Sequence, residues 1–276
     1  MSVHISDTLV ITPGSNLEPP FPLTHARIAY DSFVDETKVS ASSEAASRPA
    51  TAAASILGFE WWSPSAIPTI ASPATWTLML DEQKEADYIG IGVHNLAGAE
   101  VELEYSTDGE TWTSIDSFIQ ANNSPILSLF QAVYAMGWRI TIHSALTLPR
   151  LGAIYIGKAL QMQRAIYAGH SPVTLSRTTE MLGNQSEGGL FLGRSIVRRG
   201  VSTSYEWDNL TAPWYREYFD PFVKAARVRP FFIAWRPSKY PGDVGFGWAD
   251  GDIVPQNTGK RDMMSVSFGF RGVTGD

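Results

Sequence analysis

The sequence predicts a mainly β fold, a β-sandwich over residues 26–160 followed by a smaller, β-rich α+β domain over 161–276 with one main helix. Three observations predict it. Apolar residues alternate with small or polar ones at the strand period of two in Tyr88-Ile-Gly-Ile-Gly-Val-His, in Val101 to Ser106 and in Trp138 to Ile142. An Asp-Gly turn, Asp108-Gly109, separates two such runs. Only Thr211 to Arg227 crowds its apolar residues at helical spacing, so the chain does not read as alternating βαβ units.

Residues 1–25 read as an arm in which Pro13-Gly14 and Pro19-Pro20 interrupt a short apolar patch, Leu9 to Ile11, predicted to pair as one strand. Ser40 to Ala54 is rich in Ser, Ala and Thr and predicts a surface loop. In the strand around Tyr88, Ile89, Ile91 and Val93 form the packed face and Gly90, Gly92 and His94 the other. Val101, Leu103 and Tyr105 lead into the Asp-Gly turn, whose positive φ angles suit a tight hairpin, and Thr111 to Ile115 returns as the partner. Leu151 to Ile156 adds a further apolar strand. Beyond Leu160, Gly188 to Tyr205 predicts two strands or one bent strand, with Gly193 and Gly200 at bulges. In the helix, Thr211 is placed to cap, Trp214, Tyr215, Tyr218, Phe219 and Phe222 crowd one face, and Asp220-Pro221 predicts a kink. Pro230-Phe-Phe-Ile-Ala-Trp-Arg is apolar on both faces, as a central strand covered by that helix would be. Val266, Phe268 and Phe270 predict the closing strand.

A formal net charge of −7, from 21 Lys+Arg against 28 Asp+Glu, excludes a general polyanion binder. The one basic cluster, Arg194, Arg198 and Arg199, reads as a solvated strand edge. With no cysteine there are no disulfides, thiolate nucleophiles or thiolate metal sites. The first seven residues lack the charged start and apolar stretch of a signal peptide, and no run approaches the ~20 apolar residues of a membrane span, which predicts folding in a cytoplasm and no membrane insertion.

Catalytic chemistry finds no footing. Gly183-Asn-Gln-Ser-Glu-Gly has the wrong spacing for a nucleophile elbow, there is no phosphate-binding loop, and the five histidines are scattered. Glu102 and Glu104 share a strand face, as solvated pairs do. Asp243, Asp250 and Asp252 form the best candidate for a catalytic or cation site, against a plainer reading as Asp-Gly turns between short strands. The expectation is a protein that is not an enzyme and uses no cofactor.

Four features in order resemble the discoidin or coagulation-factor type C family, a branch of the galactose-binding-like jelly rolls: Val39-Ser-Ala-Ser-Ser-Glu, Pro73-Ala-Thr-Trp-Thr-Leu-Met-Leu-Asp, Glu104-Tyr-Ser-Thr-Asp-Gly-Glu-Thr-Trp, and the pair Trp138-Arg-Ile-Thr-Ile and Pro149-Arg-Leu-Gly-Ala-Ile-Tyr-Ile-Gly. The resemblance covers about half the chain and implies a jelly roll, with Trp112 filling the sandwich. Where calcium-binding members place an Asp-Gly-Asn type loop, this chain has Ser55-Ile-Leu-Gly-Phe-Glu-Trp-Trp-Ser. Glu60 alone cannot supply the roughly six to eight oxygens of a calcium site, so no metal is expected. Trp61 and Trp62 are the candidate carbohydrate-binding residues, as aromatic faces pack on pyranose rings, with core or interface packing as the alternative.

The second half, with its Trp-Tyr-Arg-Glu-Tyr-Phe helix and Arg229-Pro-Phe-Phe-Ile-Ala-Trp-Arg strand, looks like proteins encoded in the tail-structure regions of bacteriophages. That likeness implies a virion protein of the distal-tail or tail-tip (baseplate) kind. It would form a homo-oligomeric ring of three- or sixfold symmetry, with tube, hub and tape-measure partners and a galactose-binding-like domain turned outward. The alternative is a carbohydrate-binding adhesin or receptor-binding module that meets a host surface glycan. Neither reading calls for nucleic acid.

Overall fold

The computed structural model describes residues 3–12, 14–166, 169–259 and 261–273; Pro13 of the predicted Pro13-Gly14 break lies outside them. The fold is mainly β, with strands in two sheets.

The first sheet folds over on itself. Its two longest strands, β4 (Ala74–His94) and β7 (Ile126–Ser144), pair twice, with an interruption between Met79 and Lys84. The Ala74 to Met79 half of β4 and the Gly137 to Ile142 half of β7 belong to a front layer with β3 (Val39–Ala41), β5 (Glu100–Ser106) and β6 (Thr113–Ile119). Their other halves form a back layer with β8 (Leu151–Gly157) and β1 (Val3–Ile5). Trp62, Trp76, Leu78, Ile89, Ile91, Leu103, Phe130, Trp138, Ile140 and Ile154 fill the space between the layers. The predicted β5–β6 hairpin forms, but with a longer loop than the tight turn expected: Tyr105 pairs with Thr113, and Thr111 and Trp112 stay in the loop. Gly109 takes φ +81°, and the Asp108 carboxylate accepts from the Thr111 and Glu110 N–H groups and the Ser106 hydroxyl, which hold it well below the usual carboxylate range.

The second sheet runs β10 (Arg177–Gln185), β11 (Phe191–Thr211), β14 (Met263–Gly272), β13 (Val244–Asn257), β12 (Phe231–Ala234), β2 (Arg27–Ala29) and β9 (Leu160–Gln161). One of its faces carries the helix, 212–226. Trp214, Tyr215, Phe219, Phe222 and Val223 pack there on Ile28, Tyr205, Trp207, Phe231, Ile233 and Phe268. The other face of β12 and β13 lies against the back layer, where Tyr88, Leu127, Ala153 and Tyr155 meet Phe232, Ala234, Val244 and Phe246. The order through the molecule is therefore front layer, back layer, second sheet, helix.

Several elements differ from the sequence reading. The N-terminal strand is Val3–Ile5, not Leu9 to Ile11. It adds in parallel to the open edge of β7, after which Ser6 N–H bonds Leu129 O and a turn closed by Leu9 N–H on Ser6 O takes the chain away. Arg27–Ala29, predicted within the sandwich range, hydrogen-bonds to β12 and β9 of the second sheet. Buried Arg27 fixes the preceding arm by donating to the carbonyls of Phe21, Pro22 and His25. Gly90 and Gly92 are buried as well as their isoleucine neighbours, because the bare backbone admits the rings of Phe232 and Phe246. Trp112 lies outside the front layer. It sits in the turn before β6, where Arg139, held by the Glu104 carboxylate that also accepts from the Thr141 hydroxyl, stacks over its ring at 4.2 Å.

In the helix, Thr211 has the extended backbone of a cap, but its side chain is engaged by Gln163 Nε2. The predicted kink appears as a wide π turn, Tyr215–Phe219, closed by Asp220 N–H on Tyr215 O. Pro221, which has no N–H to give, follows at once. Of the two predicted bulges, Gly193 (φ +125°) lies beside a register shift and Gly200 pairs regularly with Thr178.

His94, at the end of β4, sets a pH limit on stability. Its Nδ1 accepts Leu96 N–H at 3.2 Å, so Nε2 carries the proton given to Ser124 O at 2.7 Å, and no lone pair remains for a second proton. Burial depresses its pKa from 6.5 to about 4, against the raising effect of the Ser124 bond. Charging it is harder in the folded state than in the unfolded chain. This stability is thus complete above pH 6.5 and is lost as pH falls towards 4, by up to about 3 kcal/mol. Urea midpoints measured from pH 7 to 4 should fall, and His94→Gln should flatten the part of the curve between pH 6.5 and 4.

Candidate functional site

The structure separates the two tryptophans singled out in the sequence. Trp62 is 0% exposed, inside the sandwich, with Nε1 on Ser43 O at 3.0 Å and its backbone paired with Leu151. It offers no face to a sugar, because adjacent residues of an extended segment point to opposite sides. Trp61 is half-buried on the outside and already engaged: the guanidinium of Arg48 stacks over its ring at 3.8 Å and that of Arg150 lies at 5.1 Å.

The acidic residues are also dispersed. Asp243 is buried and accepts from Trp235 Nε1 at 3.0 Å and from the Thr174 hydroxyl; Asp250 pairs with Arg271 at 3.0 Å, and Asp252 with Arg227 at 3.8 Å. Glu104 is bound by Arg139 and Thr141, and Glu102 by His143 at 2.7 Å. Among the described residues no group of three or more His, Asp or Glu side chains is placed to hold a metal ion. No helix among them is long and apolar enough to cross a membrane.

A site that the sequence did not suggest lies at the seam between the sandwich and the second sheet. Two hollows, of about 380 and 640 Å³, both include Trp248 and Val273 in their walls, so that together they make one groove. At one end the loop before Trp61 brings Leu57 and Phe59 alongside Val228 and Pro230; Phe59 is 68% and Trp248 48% exposed. At the other end Arg271, Arg198, Ser202, Thr178 and Glu180 form the wall. Strand register puts them there, since Trp248 pairs with Arg271, Arg271 with Ser202, Thr178 with Gly200 and Glu180 with Arg198. Arg271 is tied to Asp250, and Arg198 loosely to Glu180 at 3.8 Å. Chemically the groove offers aromatic surface followed by ion-paired side chains and hydroxyls, with both donors and acceptors exposed.

The second sheet also sends out an arm. Residues 178–199, from β10 and the first half of β11, form a hairpin closed by Ser186 N–H on Leu190 O and Gly189 N–H on Ser186 O. Every residue of β10 is exposed, and no residue between 177 and 200 enters a core. The predicted strand edge with Arg194, Arg198 and Arg199 is this hairpin.

Fold and groove define the molecule as a mainly β, two-sheet protein with a surface cleft where its parts meet. No family model matches the chain, and no curated protein matches it. Among solved structures it is similar to chitosan-binding module 1 of a chitosanase/glucanase from Paenibacillus sp. IK-5, with 15% identity over 46% of this chain and 98% of that one at a TM-score of 0.42. It is also similar to a family 32 carbohydrate-binding module from Clostridium perfringens NanJ in complex with galactose, at 16% identity, 48% and 98% coverage and a TM-score of 0.39. A third is CBM32-3 from a family 31 glycoside hydrolase of Clostridium perfringens, at 20% identity, 45% and 92% coverage and a TM-score of 0.37.

Proposed function

We propose that this protein is a non-catalytic carbohydrate-binding component and that the seam groove holds an extended saccharide. The observation that carries this reading is the pairing of two solvent-facing aromatic rings, Phe59 and Trp248, with the Arg271–Asp250 and Arg198–Glu180 pairs in one continuous cleft. Aromatic faces cover the C–H surface of a pyranose ring, while adjacent carboxylates and guanidiniums accept from and donate to its hydroxyls. A glycan array on the intact chain tests it. Saturable binding to a set of oligosaccharides is expected, with at least a tenfold loss for Phe59→Ala with Trp248→Ala and little change for Trp61→Ala. Absence of binding to any glycan, or binding indifferent to the double substitution, contradicts it.

A second reading concerns how the groove is displayed, and the exposed arm favours it. In that reading the chain is a self-assembling structural component, as in a ring at the tip of a bacteriophage tail, with the sandwich turned towards a host surface glycan. An isolated two-stranded hairpin is marginal in water, and one that exposes Leu182, Leu190, Phe191, Leu192 and Val197 calls for a partner surface. Sedimentation of the intact chain is expected to give a closed oligomer; a monomer at all concentrations contradicts this reading.

A further inference from the structure

We infer that the arm of one copy docks on the second sheet of another copy, along a strip of β11 and β14 centred on Ser204, Glu206 and Ser267; this rests on the self-assembly reading above. Three observations lead there. The first is the arm itself. Met181 pairs with Ile196 across the hairpin, Leu182 with Ser195, and Phe191 (67% exposed) and Leu192 (64%) stand at its tip without a packing surface below them. Residues 178–199 hold Arg194, Arg198 and Arg199 against Glu180 and Glu187, a net +1, so the remainder of this −7 chain carries −8. A basic, apolar arm on an acidic body is complementary to another copy of that body.

The second observation is an uncovered sheet face. In β11 and β14, Val201, Tyr205, Trp207, Val266, Phe268 and Phe270 point to the helix side and are buried. The alternate residues Ser202, Ser204, Glu206 and Ser267 are exposed on the other side, because the contact with the sandwich runs through β12 and the Val244 and Phe246 part of β13. Ser204 pairs with Gly269, which pairs with Asp250, and Glu206 pairs with Ser267, which pairs with exposed Val254. Small side chains leave this strip flat enough for an incoming hairpin. Glu206 gives it the sign opposite to that of the arm, while Asp250 beside it is already paired with Arg271.

The third is continuity. Arm and strip lie on successive stretches of one strand, Phe191–Thr211, so an arm cannot fold back onto its own strip. Contact between copies therefore has each copy giving an arm and accepting one, either as a reciprocal pair or head to tail. Repeated head-to-tail contacts close into a ring or extend into a filament.

The test is sedimentation and light scattering on the intact chain and two variants, one with the arm made polar (Leu182→Ser, Phe191→Ser, Val197→Ser) and one with the strip blocked (Ser204→Arg, Glu206→Lys). These positions lie outside the cores, and circular dichroism should show both variants folded. The wild type is expected to oligomerise, more weakly at high salt, and each variant to be monomeric. An equimolar mixture of the two should give dimers and nothing larger, since only one good arm and one good strip remain. An oligomer that persists in the arm variant overturns the inference while leaving self-assembly standing. An oligomer lost in the arm variant but kept in the strip variant overturns the docking place. A wild-type monomer at every concentration overturns both.

Discussion

Trp62→Ala is expected to destabilise the protein by about 3–5 kcal/mol, as truncation of a large aromatic in a filled core does. The ring is enclosed by the sandwich, and its Nε1 bond to Ser43 O ties the predicted Ser-rich loop to the segment preceding β4. Trp61→Ala, one residue away, removes a half-buried ring and its contacts with Arg48 and Arg150, and is expected to cost less than about 1 kcal/mol. Chemical denaturation of the two variants side by side measures the difference. Equal losses would mean that Trp62 does not fill the sandwich as described.

Gly90→Val is the second change of large expected effect. A Cβ at this position would stand 2.7 Å from the Phe232 ring, and one at Gly92 would stand 2.6 Å from Phe246. Both rings are buried in the layer that joins the sandwich to the second sheet, so neither has free space to move into. Overpacking there should cost about 1–3 kcal/mol or more and loosen the seam. Glycan binding by the groove should weaken together with stability, although Gly90 does not line it. A denaturation midpoint unchanged from the wild type would contradict the packing of the two sheets against each other.

The strands were legible because burial on one face imposes a period of two. The runs at Val101, Trp138, Leu151 and Val266 appear where that pattern put them, and the hairpin around Asp108-Gly109 forms with a longer loop than a tight turn. Gly90 and Gly92 misled the reading for a physical reason: a face that accepts another domain's rings can be lined with glycine, which in sequence looks the same as an unpacked face. The pairing of Arg27–Ala29 with β12 joins residues about two hundred positions apart, and no local pattern encodes it.

The candidate site was less legible still. Trp61 and Trp62 attracted attention as a pair, yet an extended backbone sends neighbours to opposite sides, so one of them had to be internal. Phe59 lies in a loop and Trp248 in a Gly- and Asp-rich stretch that reads as turns, and only the docking of the two sheets brings them into one groove. In the arm, the arginines announced a solvated edge. The apolar residues between them read as ordinary strand, since exposure depends on what the rest of the chain leaves uncovered.

The most direct measurement is a crystal structure of the intact protein with the oligosaccharide that binds best on the array. The account predicts a sugar ring on Phe59 and Trp248, with hydroxyls within hydrogen-bond distance of Arg271 or Arg198. A saccharide bound instead at Trp61, or anywhere away from the seam, would contradict it.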